Sequence, residues 1–506
     1  MGPRSVPTTH ILRLAALCAL LAGGRTHARE HPDVWSEVRS PHFIVVGDAG
    51  DKKERHVAQQ FEQLRTAFHS SFPAFRVDLG QPIVIVTVKN EEEMKEWLPQ
   101  DWEAKSHLHP SGVYISTPER DFVVFRMDPA GEDPYHTLCH EYAHALLHLN
   151  FRALPPWLNE GLAEYFGNCS VGEKEVRVGQ IDRNHLRTLS ENQALPLAEL
   201  FRAQQDSVYY NEENHASLFY AESWAFAHYL MLDPQARAQQ LLVKFLAVWQ
   251  ESGDQVEAAT KAFGDTERLG VLLRTYVRQP NFSITQVPAV LESTADAYPE
   301  RNLSPVEILV LRGDFYVRLE QSQQGRDILA QALQMEPNLA AAHEAMGFYY
   351  YQQKNYDAAI QEAGEAIHLH GPSFQAYFLY GASLLENHSF SPENLKAAQD
   401  ILEEAVRRNP AYAPAYFRLS LLYAQNQKKP AEAIAAARRA TELEPGSTSY
   451  VLNLGDLLVS NFRDSEARVL AENVLRTART PLEQKSARDI LIRIHEHELQ
   501  GKAKSQ

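Results

Sequence analysis

The feature that most constrains this chain is a repeat in its C-terminal part. Gly313, Gly347 and Gly381 stand 34 residues apart, and Ser420 and Gly455 take the same place after insertions of five and one residues. Sixteen and 19 residues after the first three of these positions, allowing for the insertion, come Leu329 and Ala332, Ala363 and Ala366, Leu402 and Ala405. Pro337, Pro410 and Pro445 close the units. Small residues spaced three and four apart let two helices pack closely, and a proline ends the second. Such a unit cannot bury its apolar face alone, so neighbours must stack into a solenoid.

Tyr316, Tyr350 and Tyr423 fill an aromatic place three residues after the Gly position. With the small residues and prolines, they resemble the tetratricopeptide repeat, in five units over about 305–480. Residues 481–506 read as a capping helix and a polar tail. The resemblance implies a surface that binds a protein partner or substrate.

The rest of the chain needs a different account. At 506 residues, with 44% apolar and 23% charged residues, the composition is that of globular domains. The net charge of -16 disfavours nucleic acid as a partner. Three cysteines are too few for a disulfide scaffold or a thiolate zinc site. Arg4 and Arg13, the apolar run Leu14–Leu21 and Arg25-Thr26-His27-Ala28 have the plan of an export signal over 1–28. Its removal takes three Arg and no acid, which deepens the charge from -16 to -19. No later stretch approaches the ~20 apolar residues of a membrane span. The expected location is periplasmic or extracellular. Cys139 reads as a buried thiol, with a bond to Cys169 left open.

Strands are expected at 41–48, 82–88, 112–116 and 121–126, with helices at 52–72 and 91–98, the latter capped by Asn90. Asp133-Pro134 starts a helix reaching about Asn150, Pro155-Pro156 breaks it, and Trp157–Phe166 forms another that ends at Gly167. Further helices are expected at 193–204, 216–232 and 236–252.

Residues 140–144 read His-Glu-Tyr-Ala-His. In a helix, positions i and i+4 lie about 40° apart around the axis and about 6 Å along it, so His140 and His144 can share one ion. Two neutral imidazoles and an oxygen donor suit Zn2+. Glu141 sits beside them, within reach of a water. The flanking His136 and His148 read as ordinary helix-face histidines. In the next helix Glu160 and Glu164 share a face, and like charges so placed repel unless a cation or hydrogen bond compensates.

These residues, with Asn159-Glu160-Gly161-Leu162-Ala163-Glu164, resemble the gluzincin metallopeptidases of the peptidase MA-like family, over about 35–250. The resemblance implies an α+β zincin-like domain over 29–300, a mixed sheet plus a helical subdomain, ahead of the all-α repeats. It implies a zinc peptidase with His140, His144 and Glu160 as ligands and Glu141 as general base. Glu164 would orient His140. In the better-known members of the family this chain resembles, the gap is 19 or 20 residues, and that spacing favours Glu164, 20 residues after His144, over Glu160, 16 after. The local motif favours Glu160, because a connecting loop can shorten. Tyr220 is the expected oxyanion donor, with Tyr209, Tyr210 and His215 as alternatives. The substrate is expected against an edge strand, 112–116 or 121–126. No Gly-x-Met-Glu-Asn signature is present, which favours an endopeptidase over an aminopeptidase. The competing expectations are a scaffold whose zincin domain is a relic and a metal carrier on the four-histidine face.

Overall fold

The computed structural model describes residues 34–99, 111–117, 119–128, 134–203, 213–289, 291, 295–319, 321–387, 392–425, 429–478 and 480–504. The export signal, Asp133, Tyr209, Tyr210 and the side chain of His215 lie outside the described residues.

The N-terminal part is a layer of strands and helices: β1 (Ser36–Arg39), β2 (Phe43–Gly47), α1 (Asp51–Ser71), β3 (Ile83–Val88), α2 (Glu91–Trp97), β4 (Gly112–Ile115) and β5 (Phe122–Arg126). Helices α3 (Pro134–Asn150) and α4 (Pro156–Gly167) follow. Next come β6 (Ser170–Val171), β7 (Glu175–Val178), α5 (Arg183–Glu191), α6 (Leu197–Leu200), α7 (Glu213–Leu232), α8 (Pro234–Ala238) and α9 (Leu241–Ser252). The part ends with α10 (Gln255–Phe263), α11 (Thr266–Tyr276), β8 (Thr285–Pro288) and β9 (Glu300–Asn302).

The main sheet runs β4-β5-β3-β2-β1-β9. Strands β2, β3 and β5 are parallel, and β4, β1 and β9 pair antiparallel at the two sides. Strand alternation sends its apolar side chains to two faces. Val45, Ile83, Ile85, Val123 and Phe125 pack under α1 and α3. Val46, Val84, Val86 and Val124 pack with Met94 and Trp97 of α2. Asn90 caps α2 by accepting from Glu93 N, as its sequence implies. Strand β5 is paired on both sides, so of the two strands suggested for substrate only β4 lies at an edge. The helix expected at 236–252 is two, because Gln240 adopts φ 52 and separates α8 from α9. The described part of 193–204 holds only the short α6.

The repeats are five helix pairs: α12 (Pro305–Arg318) with α13 (Ser322–Met335), α14 (Ala340–Gln352) with α15 (Tyr356–His368), and α16 (Phe374–Glu386) with α17 (Pro392–Arg408). Then come α18 (Ala413–Gln425) with α19 (Pro430–Leu443), α20 (Thr448–Ser460) with α21 (Asp464–Thr477), and a last helix α22 (Pro481–Lys504). The in-phase small residues Ala332, Ala363, Ala366, Ala405, Ala440 and Ala471 are all buried.

The repeats do not hang free of the sheet. Phe315 and Tyr316 of α12 join the apolar cluster on the α2 face, with Phe315 edge-on to Trp97 and Phe122. The first helices of the first and third pairs then hold the turn between β4 and β5. Arg120 pairs with Asp314 at 2.9 Å, and Gln375 Nε2 donates to Gln81 Oε1 at 2.7 Å and to Glu119 O at 2.8 Å. Arg318 is buried against Asp314 at 2.9 Å and lies 3.6 Å from Glu119. No described helix is long and apolar enough to cross a membrane.

Candidate metal centre and its cavity

Helix α3 turns Leu138, Tyr142 and Leu146 into the core under the sheet, which leaves His140, Glu141, His144 and His148 on its other flank. Helix α4 is anchored by Trp157, whose ring meets Phe201, Phe226 and Phe245. Gly161 sets the approach of α7. A Cβ there would stand 2.3 Å from Ser223 O, so only glycine lets the α7 backbone come this close. That packing holds Glu160 and Glu164 toward α3.

Three donor atoms converge. His144 Nε2 lies 3.1 Å from His140 Nε2, and Glu160 Oε2 lies 3.4 Å from His144 Nε2 and 3.7 Å from His140 Nε2. Tetrahedral bonds of about 2.0–2.1 Å put ligands about 3.3–3.4 Å apart, and the three separations bracket that value. The residues fit one zinc-sized ion. The geometry brings Glu160 to the Nε2 atoms. Glu164 Oε1 instead faces the other ring nitrogen, His140 Nδ1, at 3.6 Å.

Glu164 has further company that the sequence did not announce. His185, on α5, comes to 3.2 Å and His136 to 3.6 Å. Burial opposes the charge on Glu164, but the nearby imidazoles of His136, His185 and His140 hold its carboxyl well below the usual range. His185 lies in the first turn of a helix capped by Asp182, and no spacing rule links it to the motif. His136, Glu164 and Asp182 form a second cluster of metal-ligating types beside the first.

Burial pushes His140 down to about 4, so it is neutral at pH 7, the form that coordinates a metal. Burial also acts to lower His144, but the hydrogen bond and charge of Glu160 overcome it and raise the ring. Glu141 is raised by burial and then by Glu160 and Glu164, with His144 opposing. A carboxylate so raised takes a proton more readily at neutral pH.

Glu141, His144, His148, Asn159 and Glu160 form one side of a cavity of ≈ 770 Å³. Tyr114 and Asp121 line it from the sheet edge, and Tyr412, Glu444, Gly446 and Ser447 line it from the repeats. The repeats dock on α3 through Gly446, whose N–H donates to Leu149 O at 3.0 Å. A Cβ on Gly446 would lie 1.8 Å from His148 O, so the approach requires glycine.

Tyr220, on α7, does not line this cavity; its ring stands against Phe219. Tyr114 does line it, donates to Asp121 Oδ2 at 2.9 Å, and is raised by burial, by Asp121 and by the nearby Glu141. The sulfurs of Cys139 and Cys169 approach to 3.1 Å as free thiols.

A family described as "Protein of unknown function (DUF1570)" matches residues 135–249, which hold α3, α4 and α7. A tetratricopeptide-repeat family matches residues 413–447, the fourth helix pair. No curated protein matches the chain. Among solved structures, the chain is similar to a thermophilic tetratricopeptide-repeat protein of Thermus thermophilus at 19% identity and a TM-score of 0.32, covering 37% of this chain and 99% of that one. PilF of Pseudomonas aeruginosa is similar at 20% identity and a TM-score of 0.31, covering 39% and 97%. YrrB, described as a tetratricopeptide-repeat protein with an unusual peptide-binding site, is similar at 17% identity and a TM-score of 0.30, covering 36% and 90%. The 34-residue period, the helix pairs and the family match together identify the C-terminal helices as tetratricopeptide repeats.

Proposed function

We propose that the chain is an exported zinc-dependent peptidase of gluzincin type, an endopeptidase, with His140, His144 and Glu160 as ligands. The observation that carries this reading is the mutual approach of their three donor atoms, 3.1–3.7 Å, with His144 and Glu160 lining a cavity that Glu141 also lines. A zinc ion held there supplies Lewis-acid polarisation of a peptide carbonyl and of water. Glu141 takes the proton of the attacking water and delivers it to the leaving amine. Glu164, 3.6 Å from His140 Nδ1, is the carboxylate that would orient this ring and keep Nε2 facing the site. For the oxygen on which charge builds, Tyr114 is the candidate donor, a cavity-lining hydroxyl close enough to Glu141 to feel its charge, whereas Tyr220 does not line the cavity.

The purified chain should hold about one zinc and hydrolyse peptides, and Glu141→Gln should keep the zinc but lose about 10²-fold or more of the rate. Zinc content without hydrolysis of any member of a broad peptide set would sink the reading. The repeat match over 413–447 favours a second reading, a protein-binding scaffold with a relic centre, which predicts partner binding that Glu141→Gln and zinc removal leave intact.

A further inference from the structure

The cavity is more than the metal-site residues need, and part of its wall is built by two distant stretches of chain. Of its four described carboxylates, Glu141 and Glu160 belong to the centre. Asp121, just before β5, and Glu444, at the end of α19, remain. None of the described lining residues is Lys or Arg. Asp121 accepts from Tyr114 Oη and Thr117 N, at 2.9 and 3.2 Å. Burial pushes Glu444 up to about 7, and the charge of Asp121 adds to the rise, with Arg76 opposing. Tyr412 supplies an independent observation. It is 2% exposed, its ring packs on Phe374 and Phe378, and its hydroxyl has no hydrogen-bond partner among the described residues. Buried polar groups are partnered as a rule, so this hydroxyl points to a ligand that enters the cavity.

We propose that the cavity is the peptide cleft and that Asp121 and Glu444 receive an ammonium or guanidinium group of the substrate, with the Tyr412 hydroxyl bonding its backbone. This rests on the peptidase reading and adds the substrate class. The repeats are then a wall of the active site, and their fourth pair and the loop after it set specificity. A cation between two desolvated carboxylates removes their repulsion and restores the solvation they lost. A neutral side chain does neither.

The test uses the full zinc-loaded chain and internally quenched peptides. Each set differs at one position at a time (Lys, Arg, Gln, Leu or Glu), with the N-terminus either acetylated or free. The expected result is a preference in kcat/KM of about tenfold or more for cationic peptides, collapsing towards parity in Glu444→Gln and in Asp121→Asn. Preference that persists in acetylated peptides identifies a Lys or Arg side chain as the cation. Preference confined to free N-termini identifies the chain's own amine. Neutral and cationic peptides cleaved equally would overturn the inference and leave the peptidase reading standing. If no peptide is cleaved, that reading fails, and calorimetric binding of the same peptides to zinc-loaded Glu141→Gln decides the cleft separately. Tighter binding of cationic peptides, lost on adding Glu444→Gln, supports it; equal binding of all peptides, or none, overturns it.

Discussion

At the scale of single residues, the centre is a small set of groups whose charges are tuned by what lies behind them. Glu164 touches His140, His136 and His185 and lies behind the three converging donors. Replacing it by Gln should weaken zinc binding by about 10–100-fold, as loss of the partners of metal-bound histidines commonly does. Competition with a chelator measures this, and unchanged affinity would remove Glu164 from its positioning role. A second residue makes stability depend on pH. Glu222 on α7 is buried, accepts from Leu195 N at 2.6 Å, and is raised by burial from 4.5 to about 8. Between those values the folded chain keeps a proton that the unfolded chain has released. Stability is therefore highest at the acid end of that window and falls as pH rises through it, by on the order of a few kcal/mol. Glu222→Gln keeps the acceptor and should flatten part of the fall, seen as urea midpoints at pH 5 and pH 8 that lie closer together than in the native chain. A loss of stability between those values as steep as in the native chain would refute it.

At the scale of elements, the packing of α4 on α7 is the most sensitive joint, because it aims both glutamates. Gly161→Ala forces a methyl against the Ser223 carbonyl. The expected cost is about 1–3 kcal/mol of stability, with looser zinc binding, read from thermal melts and metal titration. An alanine variant as stable and as tight as the native chain would show that the joint can yield. The elements near the centre were legible in the sequence because their signals are local. His140 and His144 are four residues apart, and the prolines and Gly167 mark the ends of α4 within the same stretch. The repeat helices were legible because a period states itself five times. His185, Tyr114, Tyr412 and Glu444 were not legible. Each reaches the site through folding of distant chain, and the repeat period that contains Tyr412 and Glu444 marks packing positions, not a site. Strands β1 and β9 escaped notice for a related reason, since each is short and finds its partners only in the folded sheet.

At the scale of the whole molecule, the two parts share a core and a cavity. Removal of residues 305–506 would strip Phe315 and Tyr316 from the face formed by Val84, Val86, Phe122 and Val124. It would also leave Arg120 without Asp314 and take away the wall bearing Tyr412 and Glu444. The truncated chain should be aggregation-prone and lose the proposed peptide hydrolysis along with its fold. A soluble, folded truncation, by circular dichroism and size-exclusion chromatography, would show that the sheet face tolerates water. The pairing of β1 with β9 carries a consequence in time. Val38 pairs in register with Glu300, so the first strand of the sheet waits for a strand encoded just ahead of the repeats. A chain emerging from its N-terminus holds β1 with one edge unpaired throughout the making of α3, α4 and everything between. Completion of the sheet is a late, long-range event, of the sort that is slow and leaves strand edges exposed to other chains.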